Sequence, residues 1–239
     1  DVESTINFIK SKKRSKKDVK ISFDEYQPWY HSVNKMNKHL NSDIKEWPKA
    51  YPILEDEYNL LDCLLVGTVI NTFINNSHIV KIACMAQLVN VIPAISTVKN
   101  GISWRQSVYY PLYFASLYGR GESLQLKIKS PKYSSDMFDD VNYIDASAVI
   151  NKEEKTLSFF LINRSEEEIV DLNFDLNNLE INKIIDQQII NHPNIYASNS
   201  NDNPNEIVPK KTNIVTFQNK NLIAKIPKLS YLFILLKIK

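Results

Sequence analysis

The sequence predicts a two-part chain: parallel β/α units up to about residue 121, then an all-β region. Three observations carry this. Strand-like and helix-like segments alternate before Gly121, apolar periodicity switches to short alternating stretches after it, and Gly119-Arg120-Gly121 punctuates the change. The expected domains are residues 1–121 and 122–239, the second an antiparallel β-sandwich of jelly-roll type.

In the first part, Val2, Ile6, Phe8 and Ile9 have the spacing of a helix end, and Lys10 to Lys17 hold six basic residues in eight. No aromatic interleaves that run to stack on bases, so it reads as a solvated connection. Val19 to Glu25 alternates with period two and predicts a strand ending at Asp24-Glu25. Tyr26 to Pro52 has three prolines and predicts a long loop, a feature often functional inside a domain. Leu60, Leu61, Leu64, Leu65, Val69, Ile70, Phe73 and Ile74 predict a helix over about 56–75, stopped by Asn75-Asn76. Ile79 to Met85 is a nearly continuous apolar strand with Gln87 just beyond it. Ser103 is expected to cap a last helix carrying Val108, Leu112, Ala115 and Tyr118. Two such units are too few to close a barrel.

From Ser123 onward every signal is β. Leu124, Leu126 and Ile128 alternate with Gln125, Lys127 and Lys129, and 144–150 with 156–163 predict a hairpin. Further strands are expected at about 169–174, 183–190, 214–217, 222–226 and 231–238, with 191–205 a loop rich in Asn and Ser.

Composition narrows the function. Of 239 residues, 44% are hydrophobic and 23% charged, and 29 Lys+Arg against 27 Asp+Glu leave a net charge of +2, too weak for a nucleic-acid binder. No apolar run reaches the roughly 18 residues that span a bilayer. The polar start, Asp1-Val-Glu-Ser-Thr, does not read as a signal peptide, and the missing initiator Met predicts sequence upstream. Cys63 and Cys84, both in apolar surroundings, are expected to be buried free thiols of a reducing, cytoplasmic compartment. The four glycines form no phosphate-binding loop, and His31, His39, His78 and His192 show no metal-ligand spacing. Neither a cofactor nor a metal is expected.

Reactive groups of parallel β/α folds gather where strands end, because the following loops share one mouth. Asp24, Glu25 and Gln87 lie at or just past such ends, with Trp29 and Tyr30 close behind. Carboxylates for bond chemistry, amides that read hydroxyls and aromatic faces for the ring are what a sugar site uses. His31 lies close by and reads as surface or structural.

These residues carry a resemblance. Ile21-Ser-Phe-Asp-Glu-Tyr-Gln-Pro-Trp-Tyr-His31 resembles the nucleophile strand of the glycoside hydrolase family 51 α-L-arabinofuranosidases, which usually has Asp-Glu-Trp and then a Trp-Tyr pair. Leu54 to Gly67 is similar to the family's next helix, and Val80 to Ile92, with its Ala-Gln-Leu-Val-Asn-Val-Ile, to its eighth strand and the loop beyond. Val108-Tyr-Tyr-Pro-Leu-Tyr113 and Pro227-Lys-Leu-Ser230 resemble later signatures. The resemblance implies the C-terminal part of a (β/α)8 barrel followed by a β-sandwich. It implies a retaining arabinofuranosidase with Glu25 as nucleophile, Trp29 as an aromatic wall and Gln87 as a hydrogen-bonding partner of arabinose. The family commonly has Trp, Asn and Val where this chain has Tyr26, Gln27 and Pro28, which bears on substrate preference. Its general acid/base, a Glu after an Asn at the fourth strand's end, has no counterpart here: the only Asn-Glu pair, Asn205-Glu206, falls in a loop of the β region. The expected partners are therefore an arabinofuranoside and a missing N-terminal barrel half or neighbouring subunits, the family implying a homo-oligomer. The other reading is a non-catalytic remnant that binds carbohydrate or protein.

Overall fold

The computed structural model describes residues 1–29, 56–98, 100–176, 179–218 and 221–239. The long loop expected over 26–52 lies mostly outside them, as do Tyr30, His31 and His39.

Helix α1 (Val2–Lys12) buries none of its residues and touches the body through Glu3, whose carboxylate meets His78 Nε2 at 2.9 Å. Strands β1 (Ile21–Tyr26) and β2 (Val80–Met85) pair in parallel, Ile21 opposite Val80 and Tyr26 opposite Met85. No described strand continues this sheet on either side. Helix α2 (Leu60–Asn75) lies between them in sequence, starting four residues later than the apolar spacing predicts. Asn59 is its N-cap in a reciprocal capping box with Asp62, so the helix begins where orphan N–H groups find an acceptor.

Ser103 does not cap the last helix. It lies in β4 (Ser103–Arg105), paired antiparallel with β3 (Ile95–Thr97), and helix α3 runs from Tyr109 to Tyr118. Ser107 does not cap α3 either: its hydroxyl donates to the Asn59 carbonyl at 2.5 Å.

The β region starts with β5 (Glu122–Leu124), shorter than the alternation through Ile128 suggests, although Leu126 and Ile128 still pack on the core. A small hairpin of β6 (Lys132–Tyr133) and β7 (Val141–Asn142) precedes β8 (Ile144–Asn151) and β9 (Thr156–Asn163). Then follow β10 (Val170–Phe174), β11 (Ile181–Ile190), β12 (Lys210–Lys211), β13 (Val215–Gln218), β14 (Asn221–Ile226) and β15 (Ser230–Ile238). They form a six-stranded antiparallel sheet, β12-β11-β15-β9-β8-β5, and a three-stranded one, β10-β14-β13.

The nearly unbroken apolar run of β15 has a simple cause: the strand is covered on both faces. Leu232, Ile234 and Leu236 join a core with Val170, Val215, Leu222, Ala224 and Ile226 of the smaller sheet. Tyr231, Phe233 and Leu235, on the opposite face, pack with Leu60, Cys63, Leu64 and Phe114 of α2 and α3. Phe114 stacks on Phe233 with ring centroids 4.5 Å apart. Gly67 lets α2 approach closely, since a Cβ there would stand 3.0 Å from both Ile162 and Tyr231. A third cluster, Tyr26, Tyr58, Val66, Ile70 and Val108, joins α2 to β1. Helix α2 thus packs on the parallel pair and on the large sheet at once.

A polar joint sits where α2 meets β8. Asn71, fully buried, donates to Asp145 Oδ1 and accepts from the Ser147 hydroxyl, both at 2.7 Å. Burial raises the Asp145 pKa, opposed by the Asn71 bond and by Arg164, 3.5 Å away.

Cysteine placement corrects one expectation. Cys63 is buried, and burial pushes its thiol pKa upward, whereas Cys84 is exposed. Cys84 lies on β2, where Lys81, Ile82 and Ala83 are exposed too, because no described element covers that stretch.

Candidate sugar site at the strand ends

Parallel pairing sets the site's frame. With Tyr26 opposite Met85, β1 and β2 stop level with each other. Glu25 is the next-to-last residue of β1 and Gln87 the second residue past β2, so the strand ends bring these two positions to one rim of the pair. Both side chains are exposed. Trp29 lies three residues past β1 and is 48% exposed. Asp24 is exposed within β1.

Aromatic packing supports the rim from below. Phe73 of α2 meets Phe23 at 5.1 Å and Tyr26, edge-on, at 5.0 Å. Burial pushes the Tyr26 hydroxyl up to about 12, with Cys84 adding to the shift. The Tyr26 hydroxyl therefore keeps its proton near neutral pH. The loop after β2 folds back tightly. Gln87 N–H donates to the Ile92 carbonyl at 3.0 Å, and Asn90 holds Thr97 through two bonds of 2.8 Å. Asn90 and Val91 both have positive φ, 56° and 69°. For a β-branched residue that conformation is strained by about 1–3 kcal/mol, and such strain persists where surrounding bonds over-determine it.

Two residues missed by the sequence reading tie this region together. Gln106, 1% exposed, donates from its side-chain amide to the Asp56 carbonyl at 2.8 Å and accepts from Tyr58 N–H at 2.7 Å. The hydroxyl of the fully buried Tyr58 donates to the Pro28 carbonyl at 2.7 Å. Neither stands out in the sequence, because a buried amide and one buried Tyr follow no period.

Asn205-Glu206 has other work. Glu206 meets His192 Nε2 at 2.8 Å and accepts from Asn203, in the loop that carries both ends of the contact. Among the described residues no cluster of three or more His, Cys, Asp or Glu side chains could hold a metal ion, and no helix is long and apolar enough to cross a membrane.

Comparison with known proteins gives this geometry a context. The family described as "Alpha-L-arabinofuranosidase C-terminal domain" matches residues 24–230. The chain is 42% identical over 236 residues to the intracellular exo-α-(1→5)-L-arabinofuranosidase 1 of Bacillus subtilis, covering 99% of this chain and 46% of that protein. It is 33% identical to an exo-α-(1→6)-L-arabinofuranosidase of Bifidobacterium longum, covering 90% of this chain and 41% of that protein. A solved family 51 α-L-arabinofuranosidase from Bifidobacterium longum superposes with a TM-score of 0.85 at 27% identity, over 96% of this chain and 45% of that one. The chain belongs to the glycoside hydrolase family 51 α-L-arabinofuranosidases and corresponds to their C-terminal part. It spans less than half the length of these relatives.

Proposed function

We propose that this chain is the nucleophile-bearing part of a retaining, exo-acting α-L-arabinofuranosidase. The reading is carried by the position of Glu25, at the end of a strand paired with the one that leads to Gln87, in a chain of this family. On it, β1 and β2 are the closing strands of a (β/α)8 barrel within residues 1–121, and the two antiparallel sheets form a β-sandwich domain over 122–239. Among the described residues no further strand pairs with β1 or β2, which favours this, since strand edges are ordinarily paired or covered. The partner is the remainder of the barrel, and the intracellular names of the relatives support a cytoplasmic setting.

In this mechanism Glu25 attacks the anomeric carbon of a terminal arabinofuranosyl unit while the bond to the leaving oxygen breaks. That oxygen takes its proton from a second carboxyl group roughly 5–5.5 Å from the first, and water later releases the sugar from Glu25. Trp29 faces the ring and Gln87 bonds its hydroxyls. On this reading the acid lies in the remainder of the barrel, since the only Asn-Glu pair of this sequence, Asn205-Glu206, falls in a loop of the β region.

Loss of a general acid costs about 10²–10⁴ in rate, and the positioning supplied by six strands is lost as well. The purified chain therefore shows no turnover of natural arabinosides. Adding a polypeptide that supplies six β/α units with an Asn-Glu strand end restores it, and Glu25→Gln abolishes what is restored. Turnover by the chain alone, or restored turnover that survives Glu25→Gln, would reject this assignment. Arabinoside binding with no turnover in the reconstituted pair would favour a non-catalytic carbohydrate-binding remnant.

A further inference from the structure

The buried amide of Gln106 stands between the two sides of the rim. Its backbone N–H donates to the Ala94 carbonyl at 2.9 Å, and Ala94 N–H donates to the Gln87 carbonyl at 3.3 Å. Its side chain holds Tyr58 N–H and the Asp56 carbonyl, and Tyr58 reaches the Pro28 carbonyl, one residue before Trp29. One residue is thus linked by short hydrogen-bonded relays to Gln87 on the β2 side and to Trp29 on the β1 side. A third arm comes from the β region. Asn199, fully buried in the loop between β11 and β12, donates to the Arg105 carbonyl at 2.8 Å.

We propose that Gln106 and Tyr58 are positioning residues of the sugar site, setting Trp29 against Gln87; this rests on the functional reading of those two residues given above. The residue types fit the task. An amide both donates and accepts at one buried point, which neither an ionised carboxylate nor an aliphatic side chain does. A buried hydroxyl is costly unless bonded, so a Tyr at position 58 is explained by the bond to Pro28, where a Phe would fill the same space. A sugar site works only when its groups are held within a fraction of an ångström, and residues one step behind the contact do the holding.

The test uses the full chain with Trp47→Phe and Trp104→Phe, leaving Trp29 as the only indole. Among the described residues Trp104 Nε1 has no hydrogen-bond partner, so that change loses no bond there. Acrylamide quenching of Trp29 reports the β1 side, and hydrogen exchange of the amides at 87–94 reports the β2 side. Tyr58→Phe raises the quenching constant and leaves exchange at 87–94 unchanged. Gln106→Met, close in shape but without either side-chain bond, raises both, because Asp56, which loses its bond from Gln106, donates its own N–H to the Val91 carbonyl of the 87–94 loop. The exchange increase is about two- to twelve-fold, the factor one net hydrogen bond contributes to a local opening equilibrium, and the quenching increase, from a ring already 48% exposed, is up to about two-fold. Tyr231→Phe is the control, because among the described residues this buried hydroxyl has no hydrogen-bond partner, and it changes neither signal.

Quenching in Tyr58→Phe equal to the parent overturns the proposal. So does an equal rise in Tyr231→Phe, which would mean general loosening. If Gln106→Met does not fold, Tyr58→Phe against Tyr231→Phe still decides the matter. Both signals are read without sugar, so failure of Trp29 to respond to L-arabinose in the reconstituted pair counts against the functional reading alone.

Discussion

Replacing Asn71 with Ala tests whether the joint between α2 and the large sheet is held by polar bonds as well as by apolar packing. Asn71 contributes one bond to the Asp145 carboxylate and one to the Ser147 hydroxyl. A bond to a charged group is worth about 1.5–3 kcal/mol and a neutral one about 1, so truncation costs roughly 2.5–4 kcal/mol. At about 2–4 °C per kcal/mol for a chain of this size, the melting temperature falls by roughly 5–16 °C. The effect also depends on pH. Burial raises the Asp145 pKa, so the folded state holds that proton more tightly than the unfolded state does. Stability from this group is therefore lost as pH rises from the ordinary carboxylate value through the folded value, and regained on acidification. The Asn71 bond lowers that pKa, so its removal extends the window to higher pH. Thermal melts followed by circular dichroism at pH 7 and pH 5 read both effects, with Asp145→Asn as the reference that cannot titrate. Relative to it, the parent gains stability at the lower pH, and Asn71→Ala gains more. A loss below about 2 °C, far under the cost of two bonds, would refute the reasoning. So would an acid response in Asn71→Ala no larger than the parent's.

Three further outcomes follow from the packing. Phe114→Ala, which removes a ring stacked on Phe233, destabilises by about 3–5 kcal/mol in denaturant titration. Gly121 has φ +142° and a Cβ there would stand 2.2 Å from the Ile150 carbonyl, so Gly121→Ala lowers the denaturation midpoint and disturbs amide signals of β5 and β8; an unchanged midpoint would show that the turn has another solution. Gly67→Ala gains about 1 kcal/mol of helix propensity but crowds Ile162 and Tyr231, where overpacking costs about 1–3 kcal/mol, so the balance is a loss visible as a lower melting temperature.

What could be read from the sequence follows from which features are periodic. The strands at 144–150 and 156–163 were legible because alternation and a polar turn agree, and they fall inside β8 and β9. The strand leading to Glu25 and the one before Gln87 were legible too, and parallel pairing brings their ends level. The start of α2 was misplaced because Asp56 and Tyr58 are buried by Gln106 and Pro28 contacts, which leave no spacing to read. Ser103 looked like a cap, but pairing of Trp104 with Ser96 made it part of a strand. Cys84 sits in an apolar string and is nonetheless exposed, since apolar neighbours in sequence do not ensure a covering element. Glu25, Trp29 and Gln87 are singled out by their places at or near strand ends and by family likeness, which assign their proposed roles. Gln106 and Tyr58 act through backbone groups far away in sequence, and only coordinates reveal such relays.

The placement of β15 has a consequence for how the protein is made. In the large sheet β15 lies between β11 and β9, yet it is the last of these strands to leave the ribosome. Every shorter nascent chain has a gap in the middle of that sheet. Until Tyr231, Phe233 and Leu235 arrive, α2 and α3 lack part of the apolar surface that covers them. Cooperative folding is therefore deferred until synthesis has passed Ile238. The β8–β9 hairpin, joined by four residues, is the piece able to form early and hold the edge to which β15 attaches. A ribosome stalled anywhere before that point carries a chain with two uncovered apolar faces, which is a substrate for chaperones and proteases rather than a partly active protein.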